Sequence, residues 1–112
     1  MNSLKPGDVG LIRIPFTDLS QAKKRPALIL LSRGADNLVA FFTSRLTQAG
    51  PDDVIVRAAP ENGLAVDSAV LVTKLFTLHE TLLDRRLGRL SAEEYRNIIE
   101  RLVKLLRNTT DQ

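Results

Sequence analysis

The residues able to do chemistry in this chain are basic and hydroxylic, and they stand at the ends of apolar runs. Lys23-Lys24-Arg25 precedes PALILL, and Thr43-Ser44-Arg45 closes LVAFFT. An arginine fork makes paired charge-assisted hydrogen bonds to a phosphate, and a neighbouring hydroxyl can donate another. A site of that type stabilises the charge that builds up at a phosphorus under attack. Taken singly, each cluster has a plainer reading, as a solvated loop margin or as turn chemistry.

Other chemistries lack their parts. The chain has one histidine, His79, and no cysteine, which removes disulfides, thiolate zinc sites and a cysteine nucleophile. The acidic residues fall at no familiar ligand spacing, so no metal is expected. His79 would have to serve as the base of any Ser-His-Asp triad, and no GxSxG elbow exists. Beside Glu80 near a strand end, it is expected to be a surface or structural residue. Without GxxxxGK or GxGxxG, no nucleotide cofactor is expected.

The elements that must position these groups are mostly strands. DVGLIRI at 8–14 follows a Pro6-Gly7 turn and stops at Pro15; FTDLSQAKK at 16–24 is a polar connection longer than a hairpin needs. Further strands are expected at 26–31, opened by Pro26, and at 38–43, 53–58, 68–76 and 83–90, with turns at 32–37 and at Glu61-Asn62-Gly63. The last segment is helical. Ser91-Ala92-Glu93-Glu94 forms a capping box, and Tyr95, Ile98, Ile99, Leu102, Val103 and Leu106 follow at helical spacing. Five or six short strands and one terminal amphipathic helix imply a small, highly curved antiparallel barrel or sheet with the helix packed on it.

At 112 residues, with 44% hydrophobic and 26% charged residues, the chain has the size and composition of one globular domain, 1–112, without linker or repeat. It lacks an apolar signal core or a membrane-length apolar stretch, so a cytoplasmic protein is expected. The net charge of +3 is uneven: residues 1–45 carry seven basic and three acidic side chains, and the remainder nine and ten. On composition alone, this is ordinary solubility charge.

Four segments in order resemble the PemK/MazF family of bacterial toxins from type II toxin–antitoxin systems. They are Gly7-Asp8 with IPFTDLSQAKKRPALIL (14–30), FFTS (41–44), DSAVLVTKLFTL (67–78) and LGRLSAEE (87–94), together spanning roughly residues 5–106. The resemblance implies an SH3-like barrel of the CcdB/PemK type, mostly β within an α+β class, with five to seven strands and a C-terminal helix. It also implies a homodimer that cleaves single-stranded RNA without a metal or cofactor. In that reaction the 2′-hydroxyl attacks its own 3′-phosphate, leaving a 2′,3′-cyclic phosphate and a 5′-hydroxyl.

Carried over by position, Arg25 matches the family's catalytic arginine and Thr43 its catalytic Thr/Ser, with Ser44 the adjacent alternative. Arg25 would stabilise charge and Thr43 would hydrogen-bond the scissile phosphate; the proton donor and acceptor stay open, because a guanidinium holds its proton tightly. Thr17, Asp18, Lys23, Lys24, Arg45 and Lys74 are the expected RNA contacts, though Asp18 could instead cap its loop. The sequence departs from many members in the fifth strand, with Lys74 and Phe76 where they carry Gln and Arg. Phe76 either stacks on a base or fills the core, and core filling is the expectation. The family's partner is an antitoxin whose disordered tail covers the RNA groove, where acidic residues would meet Lys23, Lys24, Arg25 and Arg45.

Two other classes compete with this reading. A CcdB-like topoisomerase inhibitor would use a tryptophan-bearing tail, whereas this chain has no Trp and ends RNTTDQ. A catalytically silent barrel would bind RNA or a partner without cutting. The order of the four segments favours the ribonuclease and gives the excess charge of the first half an anionic target.

Overall fold

A computed structural model describes residues 4–14 and 23–108. Six strands form one antiparallel sheet: β1 (Asp8–Ile14), β2 (Lys23–Arg33), β3 (Asp36–Thr43), β4 (Val54–Val56), β5 (Ser68–His79) and β6 (Leu83–Arg89), in the order β4-β5-β3-β2-β1-β6. Helix α1 (Ala92–Asn108) follows, and short 3-10 turns occupy Leu46–Gln48 and Glu80–Leu82. The result is the α+β, mostly β architecture expected. No helix among the described residues is long and apolar enough to cross a membrane.

The sheet curls without closing as a ladder, because β4 is three residues long and pairs only with β5, while β6 pairs only with β1. The turn after β4 bridges the gap. Arg89 N donates to Glu61 O at 2.7 Å, and Gly63 holds φ +71° against Leu87, where a Cβ would collide with the Leu87 carbonyl. Asn62, buried in the same turn, accepts from the N–H groups of Ala59 and Leu64 and donates to Arg57 O. Buried polar groups satisfied in this way fix the turn instead of weakening it.

Alternation along the strands divides the core. Val9, Leu28, Leu30, Ala40, Phe42 and Val70 face the helix and pack with Ile98, Tyr95, Ile99, Leu102 and Leu105. Ile12, Ile14, Ala27, Ile29, Val39 and Phe41 form a second cluster with Leu4 and Leu78. Such a period-2 split is what strands covered on both faces dictate. The capping box is present in both directions: Glu94 N donates to Ser91 Oγ at 3.0 Å and Ser91 N to Glu94 Oε1 at 3.2 Å. Two expected apolar positions differ, since Val103 and Leu106 are exposed, Leu106 to 63%, and Leu105 packs against the core instead.

Two strand boundaries differ in a way that bears on function. β2 begins at Lys23, so Lys23-Lys24-Arg25 lies on a strand and does not close a loop, and Pro26 is interior to the strand instead of opening it. The ladder to β3 starts only at Ala27↔Phe41, so residues 23–26 pair with β1 alone. There they form a local edge, which tolerates a proline lacking an N–H. β5 runs on to His79, longer than the apolar pattern implied.

Candidate active site

Arg25 and Thr43 are brought together by strand register. With Ala27 opposite Phe41, two steps outward along each strand lead to Arg25 and Thr43, which therefore share one end and one face of the β2–β3 pair. Both line a cavity of about 680 Å³, together with Ser44, Arg45, Gln48, Leu64, Ala65, Val66, Ser68, Leu11, Pro26, Leu87 and Arg85 among others. Among the described residues that line it, three are arginines and none is acidic. Among the described residues, no carboxylate lies within ion-pair distance of Arg25, Arg45 or Arg85. A concave site with uncompensated positive charge attracts an anion and repels a divalent cation.

Thr43 is oriented by its own turn. Its Oγ1 accepts from Arg45 N at 3.2 Å, which leaves the hydroxyl hydrogen available to donate into the cavity. Pairing of Thr43 with Ala69 on β5 holds the backbone beneath it. Ser44 and Arg45 are exposed on the segment leading to the 3-10 turn, whose Gln48 N donates to Arg45 O.

Arg25 also borders a second cavity of about 290 Å³, lined by Ile14, Phe41, Phe42, Leu71, Lys74 and Phe76. Its shape comes from a bulge in β5. Between the pairs Ala40↔Leu75 and Phe42↔Val70, a single β3 residue, Phe41, faces the stretch 71–74, and this excess aims Leu71 and Lys74 into the cavity. Asp53 satisfies the bulge, accepting from Val72 N at 3.1 Å through one oxygen and from Gly50 N at 2.8 Å through the other. Phe76 meets Phe41 edge to face at 5.4 Å and remains 39% exposed, so it lines a groove and does not fill the core as expected.

The other expected residues lie elsewhere. Lys23 and Lys24 are exposed on β2 outside both cavities, and Lys24 Nζ contacts Asp84 Oδ2 at 3.3 Å. Asp84 also accepts from Arg13 at 3.3 Å. The Lys24 hydrogen bond, outweighing partial desolvation and aided by Arg13, holds the Asp84 carboxyl below its ordinary range. Thr17 and Asp18 lie outside the described residues. His79 is structural: its Nδ1 accepts from Thr81 N at 3.2 Å and caps the 3-10 turn after β5.

Sequence reading missed Arg85 and Gln48. Arg85 stands in LDRRLGR, where alternation says that Arg85 and Arg86 face opposite ways but not which way either faces. The pairing settles it. Leu11 lies opposite Pro26 on one side and Arg85 on the other, so Arg85 lines the cavity from the face of Pro26 and Leu11, whereas Arg25, one residue along from Pro26, is rooted on the opposite face and borders the cavity at the end of the β2–β3 pair. Arg86 turns away to Asp8, its Nε 3.3 Å from Oδ1, and Arg89 reaches the same oxygen at 2.7 Å. Burial alone would raise the Asp8 carboxyl. The Lys5 N–H and the two guanidiniums outweigh it and hold the group below its ordinary value.

Comparison with known proteins agrees with this fold. Solved structures of similar fold include a MazF from Deinococcus radiodurans, with a TM-score of 0.70, 20% identity and coverage of 92% of this chain and 96% of that one. The toxin MazF-mt6 of Mycobacterium tuberculosis gives a TM-score of 0.72 at 23% identity, covering 89% and 96%. A mycobacterial endoribonuclease in complex with its cognate antitoxin gives 0.65 at 20% identity, covering 92% and 91%. A search of curated proteins by sequence finds no significant match. The model of the PemK-like, MazF-like toxins of type II toxin–antitoxin systems matches residues 5–106, nearly the whole chain, and the chain belongs to that family.

Proposed function

We propose that this toxin is a metal-independent endoribonuclease acting on single-stranded RNA. The 2′-oxygen attacks the adjacent phosphorus as its proton leaves, and the bond from phosphorus to the 5′-oxygen breaks. A 2′,3′-cyclic phosphate remains on one product, and the other takes up a proton to become a 5′-hydroxyl. Arg25 faces the charge that accumulates on the non-bridging oxygens, and Thr43 donates its hydroxyl hydrogen to the same phosphate, with Ser44 beside it. The observation that carries the reading is the meeting of Arg25 and Thr43 in one cavity whose described lining holds three arginines and no acid.

The same surface suits an inhibitor. MazE–MazF structures from Deinococcus radiodurans and the mycobacterial antitoxin complex support a cognate antitoxin for this chain. Acidic residues of its tail would meet Arg25 and Arg45, with Lys23 and Lys24 near by. The working form is a cytoplasmic homodimer of a single toxin domain, and Lys74, which lines the second cavity, meets RNA there.

The test incubates purified protein, free of antitoxin, with long single-stranded RNA in EDTA beside Arg25→Ala, and maps the product ends. Cyclic phosphate ends from the wild type alone are expected. Loss of cleavage in EDTA, or an equally active variant, refutes the mechanism. Uncut but retained RNA identifies a silent binding protein.

A further inference from the structure

We propose that Arg85 is a substrate-binding residue whose guanidinium holds a backbone phosphate next to the scissile one. It thereby governs binding of RNA and not the bond-breaking step. The inference rests on the ribonuclease reading of the cavity and adds a residue to it.

Register comes first. Pro26, Leu11 and Arg85 stand side by side across β2, β1 and β6. Directly opposed residues project from the same face, so the three form one wall of the larger cavity. Two strand spacings, about 10 Å, separate the backbones of Pro26 and Arg85. Arg25, adjacent to Pro26 but rooted on the opposite face, borders the cavity at the end near Thr43, and a guanidinium anchored across the wall from that end meets the next charge of a polyanion.

The charge balance points the same way. Asp84, the preceding residue, is shared by Arg13 and Lys24 at 3.3 Å each, and Asp8 is shared by Arg86 and Arg89. These carboxylates are therefore engaged by other cations. Arg85 has no ion-pair partner among the described residues and shares its cavity with Arg25 and Arg45. Three guanidiniums around one concave space repel one another until anions enter between them, and successive phosphates of one strand supply those anions.

The experiment measures binding of a fluorescein-labelled, mixed-sequence 2′-O-methyl RNA, which lacks the attacking hydroxyl, across a salt series. Arg85→Ala is expected to weaken binding about tenfold and to lower the steepness of the salt dependence by about 0.7. Arg85→Lys should regain most of the salt dependence. Arg33→Ala, which removes the same charge at the far end of β2, should change neither quantity. On cleavable RNA, the loss for Arg85→Ala should appear in KM, with kcat kept within about twofold.

Wild-type affinity and salt slope in Arg85→Ala overturn the proposal, as does an equal loss in Arg33→Ala. A fall in kcat matching the fall in kcat/KM also overturns it, because Arg85 would then act on the chemical step. Circular dichroism confirms folding, and Arg85→Gln, which keeps most of the stem, replaces any alanine variant that fails to fold. A wild type that neither binds nor cleaves RNA refutes the ribonuclease reading itself, an outcome separate from failure of the Arg85 assignment.

Discussion

Arg85 and Arg86 are neighbours on β6, yet they serve two regions built on opposite principles. Arg86 turns toward the seam between β1 and β6, where it and Arg89 enclose the buried carboxylate of Asp8. Arg85 turns into a cavity whose described lining holds two other arginines and no acid. In the seam, charge is neutralised inside the molecule and joins residues 81 positions apart in the chain. In the cavity, charge is left for a ligand to neutralise. Guanidiniums given a buried partner tie the fold together, and guanidiniums without one are available to a ligand. Substitutions in the two regions should therefore separate activity from stability.

The largest effect is expected in the cavity. Arg25→Ala and Thr43→Ala should each lower kcat/KM on RNA by about a hundredfold or more, while chemical denaturation shifts by less than about 0.5 kcal/mol. A substantial loss of stability in either variant would break the comparison. At the seam the pattern should reverse. Asp8→Ala leaves two half-exposed guanidiniums to water and removes the acceptor for Lys5 N, and should cost about 1–2 kcal/mol in denaturant titration. The fraction that stays folded should cleave RNA at the wild-type rate, and a catalytic defect there would tie the seam to the site.

Smaller effects sharpen the contrast. Ser91→Ala removes one half of the capping box and should destabilise by about 1 kcal/mol without changing cleavage. Acid stability should report the seam as well. Because the Asp8 carboxyl is held below its ordinary value in the folded chain, its contribution is present above the unfolded pKa of about 4 and fades as pH falls through the folded value. Asp8→Asn should flatten the decline in stability below about pH 4, measured by denaturation at successive pH values. A slope unchanged from wild type would assign the acid sensitivity to other carboxylates.

Much of this was legible along the chain, for local reasons. The capping box at Ser91 to Glu94 depends on residues three apart, and the Pro6-Gly7 turn and Pro15 that bracket DVGLIRI gave β1 its observed bounds. Arg25 and Thr43 were legible through the ordered segments of the family resemblance. Other features depended on partners distant in sequence. The start of β2 at Lys23 rests on pairing with β1, the bulge at 71–74 on the register between β3 and β5, and the choice of Leu105 over Leu106 on the angle at which the helix meets the sheet. Phe76 was read as core because an aromatic in an apolar run resembles core, and no local signal marks the bulge that opens a groove beside it.

The residue order by itself determined the element types, the helix cap, the absence of cysteine chemistry and the two segments that supply the arginine and the hydroxyl. Those properties depend on neighbours a few positions away, where backbone geometry sets which side chains meet. The tertiary structure alone decided that Arg25, Thr43, Arg45 and Arg85 border one cavity and that Arg86 and Arg89 do not. A strand sends alternate side chains to opposite faces, and only its pairing with other strands determines which face becomes core, seam or site.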